Sequence, residues 1–355
     1  MRLTVLPGDD IGPEITEATL RVLRAADARH ALGLTFDVHE VGMPAHRRLG
    51  TTLPAEALEA ARAADGILLG PGGMTEYPPL AEGGVNIPGT IRKRLDLFAN
   101  IRPARSRPGV PKAIPDLDCV IVRENTEGFY ADRSLFQGIG EFMPTEDTAL
   151  SVRLITARAS RRIAEVAFRV AAGRRKHVTM VGKRHVLQMT DGLFMREVRA
   201  VAEQHPGIIL REIDIDAMAA DIYTRPEQFD VILTTNMFGD ILSNLINALA
   251  GGLGMASALN VGDQHAAANA GHGSAPDIAG RGIANPSGII LSAAMLLRHL
   301  GTTRGSDTHV AAADAIERAL DRAMTSAETR TRDLGGTAGT DGFADAICRF
   351  VTDDA

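Results

Sequence analysis

Tryptophan is absent from the 355-residue sequence, aromatic residues make up only 4%, and there are just two cysteines. So few rings provide no platform for stacking nucleic-acid bases. Cys119 and Cys348 can build neither a disulfide framework nor a thiolate metal site, and their scarcity suits a reducing compartment. An excess of positive charge is missing too: the net charge is -6, which argues against a duplex-binding surface. The local basic run Arg174-Arg175-Lys176-His177 reads as a solvated helix end and turn. The stretch Met1–Asp10 carries acids where a signal peptide needs an apolar segment. The longest late apolar run, Ile289 to Leu297, is interrupted by Ser292 and is too short to span a bilayer. The expectation is a soluble, cytoplasmic protein that binds neither nucleic acid nor membrane.

What is present is an ordinary globular composition, 45% hydrophobic and 23% charged, with 36 glycines. The length suits two domains or one large α/β unit. Short β-rich runs alternate with helical stretches, the pattern of an α/β fold. Strands are expected at Leu3–Leu6, Leu34–Val38, Gly66–Gly70, Asp118–Arg123, Val178–Val181, Ile208–Ile213 and Phe229–Thr234. Helices are expected from Pro13, around Arg92, and over Ala157–Ala172, Asp191–Gln204, Asp240–Ala250, Ile289–His299, Val310–Thr325 and Asp341–Thr352. Ser134–Thr148 has the least pattern and reads as an arm or excursion.

The glycines invite a dinucleotide-binding reading, yet the Rossmann fingerprint G-x-G-x-x-G is missing. Gly252-Leu253-Gly254, Gly271-His272-Gly273 and Gly280-Arg281-Gly282 each fail at the third glycine. There is no P-loop and no G-x-S-x-G serine elbow. A bound nucleotide therefore needs another kind of site.

Residues capable of chemistry stand at element ends. Asp240 and Asn244, four apart, would share one helix face after the strand Phe229–Thr234, a plausible corner of a Mg²⁺ or Mn²⁺ site. Aspartate at a helix start is more commonly a cap, and spacing alone leaves both uses open. Arg92, Arg102 and Arg123 could hold a di- or tricarboxylate through bidentate forks, although surface ion pairing is the usual fate of an arginine. Lys183, just after a buried strand, is a candidate base if desolvated, and the Tyr130 phenol is a candidate acid.

Five strings carry a resemblance. Gly8-Asp9-Asp10-Ile11-Gly12-Pro13-Glu14, Phe98–Pro103, Val122–Gly128, Asn236–Ser243 and His272–Gly280 are similar, in order along the chain, to the isocitrate/isopropylmalate dehydrogenase family. The resemblance implies that family's α/β fold, with two domains sharing a central sheet: residues 1–97 plus 251–355 bind cofactor, and 98–250 form a smaller dimerisation and catalytic domain. It implies oxidation and decarboxylation of a 3-substituted malate, closest to 3-isopropylmalate. Isocitrate, homoisocitrate, tartrate or D-malate substrates are alternatives, as is a catalytically silent regulatory subunit. By the same resemblance, Arg92, Arg102 and Arg123 clamp carboxylates, Tyr130 protonates the enol, and Lys183 removes the hydroxyl proton. Asp216, Asp240 and Asn244 hold Mg²⁺ or Mn²⁺. His272, Gly273, Ser274, Ala275, Asp277 and Asn285 bind NAD, with Asp277 at the ribose hydroxyls. Lys183 and Asp216 reach the partner's site, so the expected assembly is a homodimer with shared active sites.

Two departures qualify that pattern. Asn244 replaces the family's usual third aspartate, and Asn269-Ala270-Gly271 replaces its Glu-Pro-hydrophobic lead-in to the cofactor loop. The segment before Arg92, with Val85, Pro88 and Gly89, reads as a largely apolar lining that favours an alkyl substituent, whereas the string Asn125-Thr126-Glu127-Gly128 looks more like isocitrate and homoisocitrate members. A lyase using Lys183 as a Schiff-base amine on a parallel barrel would leave the arginines and Asp277 unexplained.

Overall fold

The structure, a computed structural model, describes residues 1–130 and 140–353. In its first part β1 (Arg2–Leu6), β2 (Thr35–Val38) and β3 (Gly66–Leu69) alternate with α1 (Gly12–His30), α2 (Met43–Leu49), α3 (Ala55–Ala63) and α4 (Ile87–Arg94). The middle holds β4 (Ala99–Arg105), β5 (Asp118–Glu124), β6 (Glu141–Thr145), β7 (Thr148–Ser151), α5 (Ala157–Ala172), β8 (His177–Gly182), α6 (Thr190–Ala202), β9 (Ile209–Asp214), α7 (Ile215–Thr224), β10 (Val231–Thr234) and α8 (Asn236–Leu249). The last part adds β11 (Ser257–Val261), β12 (Ala266–Ala270), α9 (Ser287–Arg304), α10 (Asp307–Thr325) and α11 (Thr340–Asp353).

Ten strands form one sheet in the order β2-β1-β3-β12-β11-β4-β5-β10-β8-β9. Strands from the two chain ends build one half and strands from the middle build the other. Their seam is the antiparallel pair β11–β4, in which Asn260 stands opposite Asn100. Gly66–Leu69 and Val231–Thr234 are buried at every position, as expected of parallel strands covered on both faces. Helix α9 packs on β11 and β12 and buries most of its length, including the apolar run around Ser292. That run is core, and among the described residues no helix is long and apolar enough to cross a membrane.

Several expectations need correction. Helix α8 starts at Asn236, not Asp240, because Thr235 is the extended residue that precedes it. Asp240 therefore lies in the second turn and does not cap the helix. Strands β11 and β12, Ser-Ala-Leu-Asn-Val and Ala-Ala-Ala-Asn-Ala, give almost no β-branched signal and are held by burial on both faces. Short helices α2, α3 and α7 each bury only one or two residues, too few to print a periodic pattern. Of the segment expected to be an arm, residues 134–139 lie outside the described residues. Beyond them β6 and β7 pair as an antiparallel ribbon with every residue exposed. The basic run after α5 is a turn as expected, but Arg174 and Arg175 clamp Asp118, and Arg174 also bonds the buried Asp230.

Burial depresses the pKa of His177, His272, His299 and His309 below the ordinary 6.5. The unfolded chain then takes up protons first as the pH falls through 6.5, so stability present above that pH is lost below it. The melting temperature is expected to be lower at pH 5.5 than at pH 7.5, which a thermal scan in matched buffers checks.

Candidate active site

Strands β4 and β5 are antiparallel, with Asn100 opposite Arg123 and Arg102 opposite Ile121. Side chains alternate faces with a period of two, so Asn100, Arg102 and Arg123 emerge on one face of the sheet. Helix α8 leaves the end of β10 over that face. Arg123 donates from Nη1 to Asp240 Oδ1 at 2.5 Å, and from Nε and Nη2 to Asn236 Oδ1 at 3.1 and 2.6 Å. Arg102 Nη1 lies 3.3 Å from Asp240 Oδ1 and 2.6 Å from Ser243 Oγ. Gly239 makes this approach possible: a Cβ there would stand 2.7 Å from Arg123 Cγ.

Arg92 arrives from the last turn of α4, whose first turn is capped by Asn86 accepting from Gly89 N at 2.8 Å. The three arginines are 9%, 6% and 2% exposed, so their use as ordinary surface ion pairs is excluded. They line one cleft of about 340 Å³ together with Tyr130, Asp240, Asn244, Asn269, His272 and Gly273. The Tyr130 hydroxyl lies 3.5 Å from Asp240 Oδ2. Burial alone would raise the Asp240 pKa, but the guanidiniums of Arg123, Arg102 and Arg92 outweigh it and hold the carboxyl below the usual range. Three cations against one anion in a cleft of this size make a receptor for a small polyanion.

A chain of amides fixes the cleft floor across the seam. Arg102 Nε donates to Asn100 Oδ1 at 2.8 Å, Asn100 Nδ2 donates to Asn260 Oδ1 at 2.7 Å, and Asn260 Nδ2 donates to Asn269 Oδ1 at 2.5 Å. Asn125 Nδ2 also donates to Asn260 Oδ1, at 3.0 Å. Sequence reading singled out none of Asn100, Asn236 or Asn260, because only the sheet register brings them beside the arginines. The Asn-Ala-Gly string before loop 272–277 thus joins Arg102 through Asn269.

The loop 272–277 borders the same cleft. Burial lowers the pKa of His272, whose Nδ1 lies 2.9 Å from Gly273 O and whose Nε2 is buried without a hydrogen-bond partner in the protein. Ser274 O accepts from Ile11 N at 3.1 Å and ties the loop to the turn after β1. Ala275 holds a left-handed φ of 44°, and Asp277 is exposed on the short turn Pro276–Ile278. Asn285 is differently placed. Its Nδ2 donates to Asp333 at 2.9 Å and its Oδ1 accepts from Ser287 N and Oγ at 2.9 and 2.5 Å, so its side chain is engaged in starting α9. Val85 packs against the core of Leu6, Val41 and Ile87 rather than lining the cleft, which removes part of the apolar lining read from the sequence.

Lys183 and Asp216 do not line this cleft. Lys183 follows β8 and pairs with Asp216, at the start of α7, and with Asp214 at 3.4 Å. The hydrogen bond that Lys183 donates to Asp216 raises the Lys183 pKa, opposite to the desolvated amine expected from its place after a buried strand. Among the described residues no cluster of three His, Cys, Asp or Glu could hold a metal ion. Asp240 and Asn244 meet in the cleft, and Asp216 stands elsewhere on the same chain. A larger cleft of about 520 Å³ opens on the other sheet face, past Ile101, Pro103 and Val120. Its arginines are committed to Asp321, Asp118 and Glu317.

The cleft lined by Arg92, Arg102 and Arg123, on a sheet built from both chain ends, has the charge of a site for a small polyanion. The chain belongs to the isocitrate/isopropylmalate dehydrogenase family, which it matches over residues 2–347. It is 41% identical to a 3-isopropylmalate dehydrogenase of Methanothermobacter thermautotrophicus, with 99% of each chain covered. It is 42% identical to an isocitrate/homoisocitrate dehydrogenase of Thermus thermophilus over 98% of this chain and 97% of that one. The crystal structure of isocitrate dehydrogenase from Methylococcus capsulatus superposes with a TM-score of 0.88 at 38% identity, covering 99% of both chains. Proteins of this kind are oxidative decarboxylases, generally dependent on a nicotinamide cofactor and a divalent metal.

Proposed function

We propose that the protein oxidises and decarboxylates a 3-substituted malate with NAD and Mg²⁺ or Mn²⁺, as a homodimer with shared sites. The observation that carries this reading is the convergence of Arg92, Arg102, Arg123, Tyr130 and Asp240 on one cleft. The arginine forks hold the substrate carboxylates and orient the 2-hydroxyl. The donors Asp240 and Asn244, with Asp216 of a second copy, are hard oxygens suited to Mg²⁺ or Mn²⁺. When bound, the cation supplies Lewis-acid polarisation of the 2-oxygen; the nicotinamide ring supplies the hydride acceptor. Lys183 of a second copy takes the hydroxyl proton on Nζ, and Tyr130 returns a proton to C3 after CO₂ departs. Once Asp216 is engaged as a ligand, Lys183 loses the hydrogen bond that keeps its pKa high.

Two features support the dimer. Lys183 and Asp216 lie outside the chain's own cleft, and the fully exposed β6–β7 ribbon carries Phe142, Met143 and Leu150. The seam β11–β4 supports a division into residues 1–97 plus 251–355 and residues 98–250.

For the substituent, the sequence favours an alkyl group as in 3-isopropylmalate. A second reading, a carboxylated substituent as in isocitrate or homoisocitrate, is favoured by the Asn86, Asn244 and Asn269 amides in the cleft. NADH formation by the purified chain with Mg²⁺ or Mn²⁺ and a panel of 3-substituted malates, tartrate and D-malate decides between them. No turnover with any member would instead assign the chain as a silent subunit.

Two substitutions test the cofactor and metal assignments. Asp277 places a carboxylate where a 2′-phosphate would be repelled, so Asp277→Lys is expected to shift the ratio of kcat/KM for NAD and NADP toward NADP by about tenfold or more. Asn244→Asp adds a charge beside Asp240, and the metal Kd by titration is expected to fall about tenfold. An unchanged Kd would remove residue 244 from the ligand set.

A further inference from the structure

Arg153 has no role in the reaction as derived so far, yet its side chain is only 7% exposed and reaches α6, the start of α8 and the residue before Tyr130. Its Nη1 pairs with Asp191 Oδ1 at 2.6 Å and donates to Thr190 Oγ1 at 2.6 Å. Asp191, fully buried, accepts the backbone N–H of Lys183 on Oδ2 at 2.6 Å. Arg153 Nη2 donates to Thr235 Oγ1, the residue that opens α8 and so leads to Asp240 and Asn244, at 3.2 Å. The guanidinium also lies 5.5 Å from the Phe238 ring of α8 and 5.7 Å from the Phe129 ring, next to Tyr130. Gly128 and Leu154 exchange backbone hydrogen bonds at 2.8 and 3.0 Å, fixing the segment that carries Arg153 to the Tyr130 loop.

We propose that Arg153 is a positioning residue that locks Tyr130, the start of α8 and the backbone of Lys183 into one frame. The inference rests on the shared-site reading above. In a dimer whose copies exchange Lys183, the Tyr130 and Asp240 of one chain serve one site while its Lys183 serves the other. A single guanidinium that touches the α8 start and Phe129 directly, and the Lys183 backbone through Asp191, therefore couples the two sites mechanically. A planar fork near two rings suits this task, because lysine carries the same charge on a flexible stem that cannot bridge Asp191 and Thr235 at once. Reacting groups displaced by about 1 Å can cost on the order of 100-fold in rate.

Arg153→Ala would leave the buried Asp191 carboxylate unpaired and could prevent folding. Arg153→Lys keeps a cation beside Asp191 and is the variant to test. Alone, it is expected to lower kcat roughly 10- to 100-fold with the KM for cofactor little changed. The decisive measurement uses purified mixed dimers in which one chain carries Lys183→Ala. Paired with a Tyr130→Phe chain, one of the two sites receives Tyr130 from the first chain and Lys183 from the second, and activity returns to half that of the native dimer. Replacing Tyr130→Phe by Arg153→Lys leaves that same site with an intact body and alters only the segment that delivers Lys183. Turnover at least about tenfold below the Tyr130→Phe mixed dimer is then expected. Equal turnover would show that Lys183 is set without Arg153 and overturn the proposal. No activity in the Tyr130→Phe mixed dimer would overturn the shared-site reading, and the coupling with it.

Discussion

Lys183→Ala is expected to yield a folded protein that, on the proposed reading, still binds NAD but oxidises substrate roughly 100- to 10,000-fold more slowly, the contribution of a positioned general base. The fold survives because the Lys183 side chain meets only Asp214 and Asp216 at the molecular surface, and core packing does not include it. Its loss is felt in the chemical step, since no other amine or imidazole among the described residues pairs with Asp216. Stopped-flow measurement of the first turnover separates this from a defect in cofactor binding. Native-like oxidation by the variant would take the base assignment away from Lys183.

Gly239→Ala is the second large effect and comes from packing. A Cβ at this position would stand 2.7, 2.8 and 3.2 Å from Arg123 Cγ, Cβ and Cδ. Arg123 cannot yield readily, being 2% exposed and bonded to both Asp240 and Asn236. Overpacking of this kind costs about 1–3 kcal/mol in stability. The displaced guanidinium lies among the three cleft arginines proposed to hold the substrate, so kcat/KM is expected to fall about 100-fold. Gly342→Ala in α11 is the control, because its Cβ would meet only Ala338 Cβ at 3.8 Å. That change is expected to stabilise the helix by up to about 1 kcal/mol and to leave turnover alone. Equal kinetics in the two variants would contradict the packing account.

These effects show where the sequence is informative. Buried parallel strands such as Gly66–Leu69 announce themselves by uninterrupted apolar runs, and long helices such as α5 by their period. Strands β11 and β12 do not, since alanine and asparagine belong to them only through cover on both faces. Arg92, Arg102 and Arg123 were readable as residue types, but their convergence depends on the β4–β5 register and on α8 beginning at Asn236. The family strings supplied what local pattern could not for Asp240, which spacing alone could not separate from a helix cap. The asparagine chain from Arg102 to Asn269 and the Arg153 contacts stayed hidden, because each depends on residues brought together from distant segments. For Lys183 the sequence marked the strand end correctly, but not the carboxylates that raise its pKa.

The most direct test is to measure NADH and CO₂ together from the purified protein supplied with NAD, Mn²⁺ and 3-isopropylmalate or isocitrate. Equal molar amounts of the two products from at least one substrate, and neither after chelation of the metal, are expected. NADH without CO₂, or turnover that survives removal of the metal, would contradict the account.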